Sequence, residues 1–411
     1  FPSFTLGLGR LIGLTFLRRS TGFAAGRTTL RSGAPGSLVG IVMVRAKELN
    51  FATRIPPPFL SRRTKEPTTA CGEVAGAPMS EVLSCVAFLV GAAVSLATSW
   101  VLVSRLERVG ERFGLTEALL GMVAALAADA PEITASITAL AHHQPTIGAG
   151  VVLGSNVFNL AALLGLGAVV AGRIELHRKV VLFSGAVAML IGAACLLSVG
   201  RQLPAGGGLA VVLAVMVPFV ILLGAHRGIL RRLSLPTRLA AWLDEAILEE
   251  ESELSESIHP RRGTSGDTLV ASGALVVVVF ASVAMERGAS SVGAHFGVPE
   301  IIVGGLVLAA VTSLPNAVSA IYLARRGRGA ATLSTALNSN SLNVMAGLLV
   351  PATVIGLARP SAPGLLVAGW YVGLTALTLV LAYAGRGLGR TSGVLIVAAY
   401  VLFVMVLLVI S

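Results

Sequence analysis

The chain has 411 residues, 55% of them hydrophobic and only 12% charged, with a mean hydropathy of +0.85, a usage that argues against an ordinary soluble domain. The formal net charge of +11 points at first to nucleic acid, but residues 1–78 hold 11 Lys and Arg against 3 Glu and so carry most of it. The remaining body is nearly balanced, which sets nucleic acid aside and leaves the lipid bilayer as the partner.

Residues 1–78 are rich in Arg, Gly, Ser and Pro, include Pro56-Pro57-Pro58, and contain no clean apolar span. This N-terminal extension is expected to lie outside the fold, either as a targeting segment or as sequence upstream of a start at Met79. The second reading is favoured.

From Met79 onward, apolar stretches of roughly twenty residues recur, the length at which a helix crosses about 30 Å of hydrocarbon. Ten are predicted, over 81–104, 115–141, 146–171, 179–199, 206–224, 268–285, 298–324, 329–357, 363–384 and 392–411. The fold class is therefore all-α integral membrane. Two five-helix repeats, 79–224 and 268–411, flank a linker at 225–267.

Orientation follows from Lys and Arg, which stay preferentially on the cytoplasmic side. Alternate loops hold 17 basic residues, among them Arg105, Arg173, Arg231, Arg325 and Arg386, against Arg201, Arg287 and Arg359 in the others. Both ends of the membrane domain are thus expected outside, with 225–267 cytoplasmic. The plasma, or inner, membrane is the expected location.

The linker contains an apolar stripe, Leu239, Trp242, Leu243 and Ile247, beside Arg231, Arg232 and Arg238. This pattern predicts an interfacial amphipathic helix. The acidic run from Asp244 to Glu256 lacks the alternating ladder and glycine of a calcium-binding EF-hand loop and reads as a solvated linker. Cys71, Cys85 and Cys195 are far apart and form no disulfide or zinc pattern. His142 and His143 read as ordinary loop residues.

Two strings repeat at one offset of 184 residues. Ala128-Asp129-Ala130-Pro131-Glu132 pairs with Thr312-Ser313-Leu314-Pro315-Asn316, and Gly154-Ser155-Asn156-Val157-Phe158-Asn159 pairs with Asn338-Ser339-Asn340-Ser341-Leu342-Asn343. Loop charge makes the span holding the first string run outward and its counterpart run inward, so the halves read as an inverted repeat, an arrangement that secondary transporters use to bind substrate near the bilayer midplane. Pro131 and Pro315 each remove a backbone donor. The freed carbonyls can then face a cavity and coordinate a cation.

Asp129 and Glu132 fall near the middle of a span and are read as the only deeply placed acids in the chain. An aspartate at a membrane helix centre costs about 2.5–3.5 kcal/mol on insertion scales, so an acid there is a functional residue by default. At spacing i, i+3 the two share a helical face, and a proton or a cation must relieve their repulsion. The partners expected around them are Ser155, Asn159, Thr312, Ser313, Asn316, Ser339 and Asn343, all of which offer oxygen. Oxygen-only sites suit hard cations such as Ca²⁺, Mg²⁺, Mn²⁺ or Na⁺.

At these residues the chain resembles the sodium/calcium exchanger family of the cation/calcium antiporter superfamily, whose two α-repeats carry a G-T-S-x-P-E type motif followed by G-S-N-[IV]-x-[ND]. The resemblance covers Met79 to the C-terminus in architecture, and 114–165 and 297–350 in detail. It implies Glu132 as the principal calcium carboxylate, with Ser155, Asn159 and the Ala128 carbonyl on the same side, and Thr312, Ser313, Ser339 and Asn343 as second-half ligands. Asn316 stands where the family usually has its second glutamate, and Asp129 where it usually has a small polar residue. The total of two carboxylates is kept.

The expected activity is antiport of Ca²⁺, or another hard divalent cation, against Na⁺ or H⁺ by alternating access, with inorganic cations as the only ligands. No cofactor or nucleotide motif is present, and no enzymatic activity is expected. The alternatives are an exchanger coupled to protons or specific for another cation, and a non-transporting regulatory homologue. An intramembrane hydrolase ranks last, since no catalytic pair of aspartates on separate helices is evident.

Overall fold

The computed structural model describes residues 81–115, 117–224, 241–243, 245 and 263–411. The expectations for 1–78, and most of those for the 225–267 linker, lie outside them. Helix α1 (Glu81–Arg112) is followed by α2 (Glu117–Ala128) and α3 (Ala130–Ala141), then α4 (Pro145–Ala171), α5 (Arg178–Val199) and α6 (Ala205–Gly224). The second series comprises α7 (Ser265–His295), α8 (Glu300–Thr312), α9 (Leu314–Arg325), α10 (329–355), α11 (Ala362–Gly385) and α12 (Arg390–Ile410).

Among the described residues, seven helices are long and apolar enough to cross a membrane, and two bent pairs, α2 with α3 and α8 with α9, raise the number to nine. The chain is thus an integral, multi-pass membrane protein. The remaining predicted stretch, 329–357, is helical over 329–355 but is too polar to count by composition. Its Asn338, Ser339, Asn340, Ser341 and Asn343 are all buried. A helix packed inside protein need not be apolar, because its polar groups meet partners rather than lipid.

Lipid-facing and interior helices separate by burial. Helix α4 is buried along 89% of its apolar window, whereas α1 and α12 are buried along 28% and 22%. Outward side chains such as Val354, Val409 and Phe280 are apolar and exposed, as a lipid-facing surface requires.

Helices separated by the 184-residue offset pack against each other in opposite directions. Along α1 and α7, Ser84 meets Ser291, Ser95 meets Ser282, and Arg105 meets Asp267, a descending register that makes the pair antiparallel. Between α5 and α11, Gly185 abuts Leu379 and Gly192 abuts Val372, again antiparallel. At the centre, the Asn156 side chain donates to the Asn340 carbonyl (3.1 Å) and the Asn340 side chain donates to the Asn156 carbonyl (3.0 Å). These two residues are themselves 184 apart, so each bond is the counterpart of the other.

Several element ends differ from the sequence reading. Helix α7 runs well past the predicted 268–285, because a capping box between Thr264 and Asp267 starts it earlier and the helix continues through Glu286. The short strands β1 (Arg173–Glu175) and β2 (Gly387–Gly389) pair antiparallel and join the α4–α5 connection to the α11–α12 connection. No local sequence signal announced them. In the linker, Leu239 and Ile247 lie outside the described residues, but Trp242 packs edge-on against Phe183 of α5 at 6.5 Å and Leu243 is buried. That part of the predicted amphipathic stripe faces protein.

Candidate functional site

Both bends sit two residues before a proline. The chain turns by 50° at Asp129 and by 47° at Ser313, so that Pro131 and Pro315 occupy the first turns of α3 and α9, where a missing N–H is tolerated. Pro131 leaves the Ala127 carbonyl without its helical donor. The Ser99 hydroxyl of α1 supplies one instead, at 3.2 Å. This freed carbonyl is therefore taken up by a neighbouring helix and is not left open to a cavity.

The bends bring Asp129 and Glu132 to the centre, both with 0% exposure. Each carboxylate is held by donors from the other half of the chain. The Asn316 amide and the Ser339 hydroxyl both donate to Asp129 Oδ1, each at 2.6 Å. The Ser313 hydroxyl donates to Glu132 Oε1 and the Asn343 amide to Glu132 Oε2. Charge-assisted bonds of this kind are about twice as strong as neutral ones.

A second layer orients these donors. Asn159 donates to Asn340 Oδ1 (3.0 Å) and to Ser339 (3.4 Å), and Asn343 also reaches Asn156 Oδ1 (3.4 Å). Ser155 donates to the Val152 carbonyl at 3.0 Å. Asn159 and Asn343 stand where α4 and α10 loosen into π-helical turns, Leu160–Leu166 and Asn343–Leu349, a local rewinding often found at functional sites.

The structure thus gathers Asp129, Glu132, Asn159, Ser313, Asn316, Ser339 and Asn343 into one buried network, with Ser155 on the same helix face as Asn159. Thr312 is buried, but its hydroxyl turns back to the Leu308 and Ala309 carbonyls of its own helix. Ala128 is half-buried at the end of α2.

The network has unmet acceptors. Asp129 Oδ2, Asn159 Oδ1 and Asn343 Oδ1 are buried oxygens with no hydrogen-bond partner. Leaving a buried polar atom unpaired costs about 1–3 kcal/mol, and all three are the hard oxygen type that alkali and alkaline-earth cations prefer. Among the described residues, no three His, Cys, Asp or Glu side chains cluster, so amide and hydroxyl oxygens must make up any coordination shell.

Three residues went unrecognised in sequence. Asn156 and Asn340 exchange the central pair of bonds, and their signal was present in the repeated strings. Glu286 of α7 is a further buried acid, with 1% exposure, which corrects the reading of Asp129 and Glu132 as the only ones. It accepts from Ser290 at 2.8 Å. The predicted span ended at 285 and so placed Glu286 in a loop, whereas α7 continues and carries it into the packing.

Comparison with known proteins agrees with this architecture. The inner membrane protein YrbG of Escherichia coli (strain K12) is 26% identical over 247 residues, covering 59% of this chain and 71% of that protein. The putative antiporter CaxA of Alkalimonas amylolytica is 32% identical over 84 residues, 20% of this chain and 26% of that one. This match thus spans about a quarter of CaxA. The crystal structure of the H⁺/Ca²⁺ exchanger CAX shares the fold with a TM-score of 0.58 at 14% identity, covering 79% of this chain and 82% of that one. The sodium/calcium exchanger protein family matches twice, over residues 83–224 and 268–409. The chain belongs to that family.

Proposed function

We propose that the protein is a secondary antiporter that exchanges a hard divalent cation, Ca²⁺ first among them, for Na⁺ or H⁺ by alternating access. The observation that carries this reading is the buried pair Asp129 and Glu132, each held by donors from the opposite half and surrounded by unpartnered oxygens. The ligand set is Asp129, Glu132, Ser155, Asn159, Ser313, Asn316, Ser339 and Asn343, with Thr312 and the Ala128 carbonyl at its edge. Ca²⁺ takes six to eight oxygens at about 2.3–2.6 Å, a number this set can supply.

Serine and asparagine side chains carry both donors and acceptors. With no cation, their N–H and O–H groups satisfy the carboxylates; with one, rotation presents Oγ and Oδ1 instead. Two carboxylates carry two negative charges, which one divalent cation or two monovalent ones neutralise. Burying either load costs less than burying the bare acids, and that preference makes exchange obligatory.

The membrane arrangement that fits is ten spans in two inverted five-helix halves. Antiparallel packing of α1 with α7 and of α5 with α11 supports it, as does the alternation of basic loops. The termini of the membrane domain then lie outside, the linker lies in the cytoplasm, and the plasma membrane is the site of action. The test is uptake of radiolabelled calcium into proteoliposomes under an outward Na⁺ or an outward H⁺ gradient. Uptake that requires one gradient names the counter-ion, whereas no uptake under either refutes calcium exchange.

A further inference from the structure

The 184-residue repeat carries residue 129 onto 313 and residue 132 onto 316. The link from Asn316 to Asp129 and the link from Ser313 to Glu132 are therefore images of each other. Each is a contact between a residue at the helix break of one half and the residue three positions later in the other half. Each contains one carboxylate and one neutral donor. In one pair the acid stands at the break, Asp129, and in the other it stands three positions on, Glu132.

The surroundings repeat as well. Ser339 lies 3.3 Å from the Asn316 amide nitrogen and donates to Asp129, while its counterpart Ser155 lies against Glu132. Asp129 takes both of its donors on Oδ1, and its other oxygen is buried with no partner.

We propose that the site consists of two equivalent stations, Asp129 with Asn316 and Glu132 with Ser313. Each station needs one carboxylate, and either member of the pair can supply it. Asp129 is then the acid of its station, and Asn316 is the donor that positions it. This rests on the cation-site reading above and adds which residues are exchangeable within it. Asp129→Ser with Asn316→Glu would make the two stations identical, each a serine facing a glutamate.

The experiment is a double-mutant cycle on the full chain in detergent, with calcium affinity by calorimetry and melting temperature without added cation. Asp129→Ser alone removes a carboxylate and should weaken calcium binding at least 100-fold. Asn316→Glu alone places a second acid against Asp129 and should lower the melting temperature. The double variant should recover affinity to within about tenfold of the unsubstituted protein and recover the melting temperature.

A double variant that melts normally but binds no better than Asp129→Ser overturns the exchangeable pair and leaves the cation site standing. Unsubstituted protein that binds no calcium, sodium or other hard cation overturns the site and this inference together. Additive effects of the two substitutions on both readouts overturn the pairing itself.

Discussion

Glu132→Gln keeps the volume of a fully buried side chain and removes one charge. Two donors converge on that carboxylate, the Ser313 hydroxyl on one oxygen and the Asn343 amide on the other. A glutamine has one acceptor oxygen and one NH₂ group; with the oxygen toward Asn343 the NH₂ meets Ser313, whose hydroxyl must turn from donor to acceptor, and neither bond is then made to a charge. Losing a hydrogen bond to a charged group costs about 1.5–3 kcal/mol, while the repulsion between Glu132 and Asp129 is relieved. The cation-free protein should therefore change in stability by no more than about 3 kcal/mol.

Cation affinity should respond much more. A divalent ion about 2.4 Å from the carboxylate is attracted by about 14 kcal/mol at an effective dielectric of about 20, most of which desolvation cancels. Removing one partner from a buried ion pair leaves a net loss of about 3–5 kcal/mol, or roughly 10²- to 10⁴-fold in affinity. Calorimetric titration with calcium, beside a melting curve of the same sample, separates the two effects. A folded Glu132→Gln protein whose affinity stays within threefold of the unsubstituted one would refute the placement of Glu132 in the site.

Gly154 presses on α8 so closely that an added Cβ would lie 2.1 Å from the Gly305 carbonyl oxygen. Backbone cannot swing aside, so Gly154→Ala should destabilise by about 1–3 kcal/mol or more and weaken cation binding by parting the two halves; an unchanged melting temperature would contradict this. Ser99→Ala strips the donor from the Ala127 carbonyl and should cost about 1–3 kcal/mol, read as a fall in melting temperature that Ser99→Thr largely avoids. Asp267 accepts from Arg105 at 2.6 Å and from the N-cap Thr264 backbone N–H at 2.7 Å, the return arm of the capping box of α7, so Asp267→Ala should lose about 0.5–2 kcal/mol from the capping box alone, detectable by denaturant unfolding. Protons compete with cations for Asp129 and Glu132, so calcium affinity should fall as pH is lowered, and a pH-independent affinity between neutral and acid conditions would argue against carboxylate ligands.

How much of this was legible in sequence depended on whether the signal was local. The Asp129 and Ser313 breaks were readable because each lies beside a proline inside an apolar run, and the two strings repeat at one offset. The polar set was readable because buried Ser, Asn and acids in membrane helices need partners. Which atom bonds which was not readable, since Asn316 to Asp129 and Asn343 to Glu132 form only when the two halves pack together. Glu286 was missed for the same reason: its burial depends on helices distant in sequence, while the local run of hydropathy ends just before it. The β1–β2 pairing joins residues over two hundred positions apart through strands too short to carry a pattern.

The most direct test of the central claim is to locate a bound cation by anomalous diffraction from crystals grown with calcium or a heavier divalent ion. The account predicts a peak within about 2.3–2.6 Å of carboxylate oxygens of both Asp129 and Glu132. A transporting protein whose peak lies elsewhere, for example at Glu286, would contradict it.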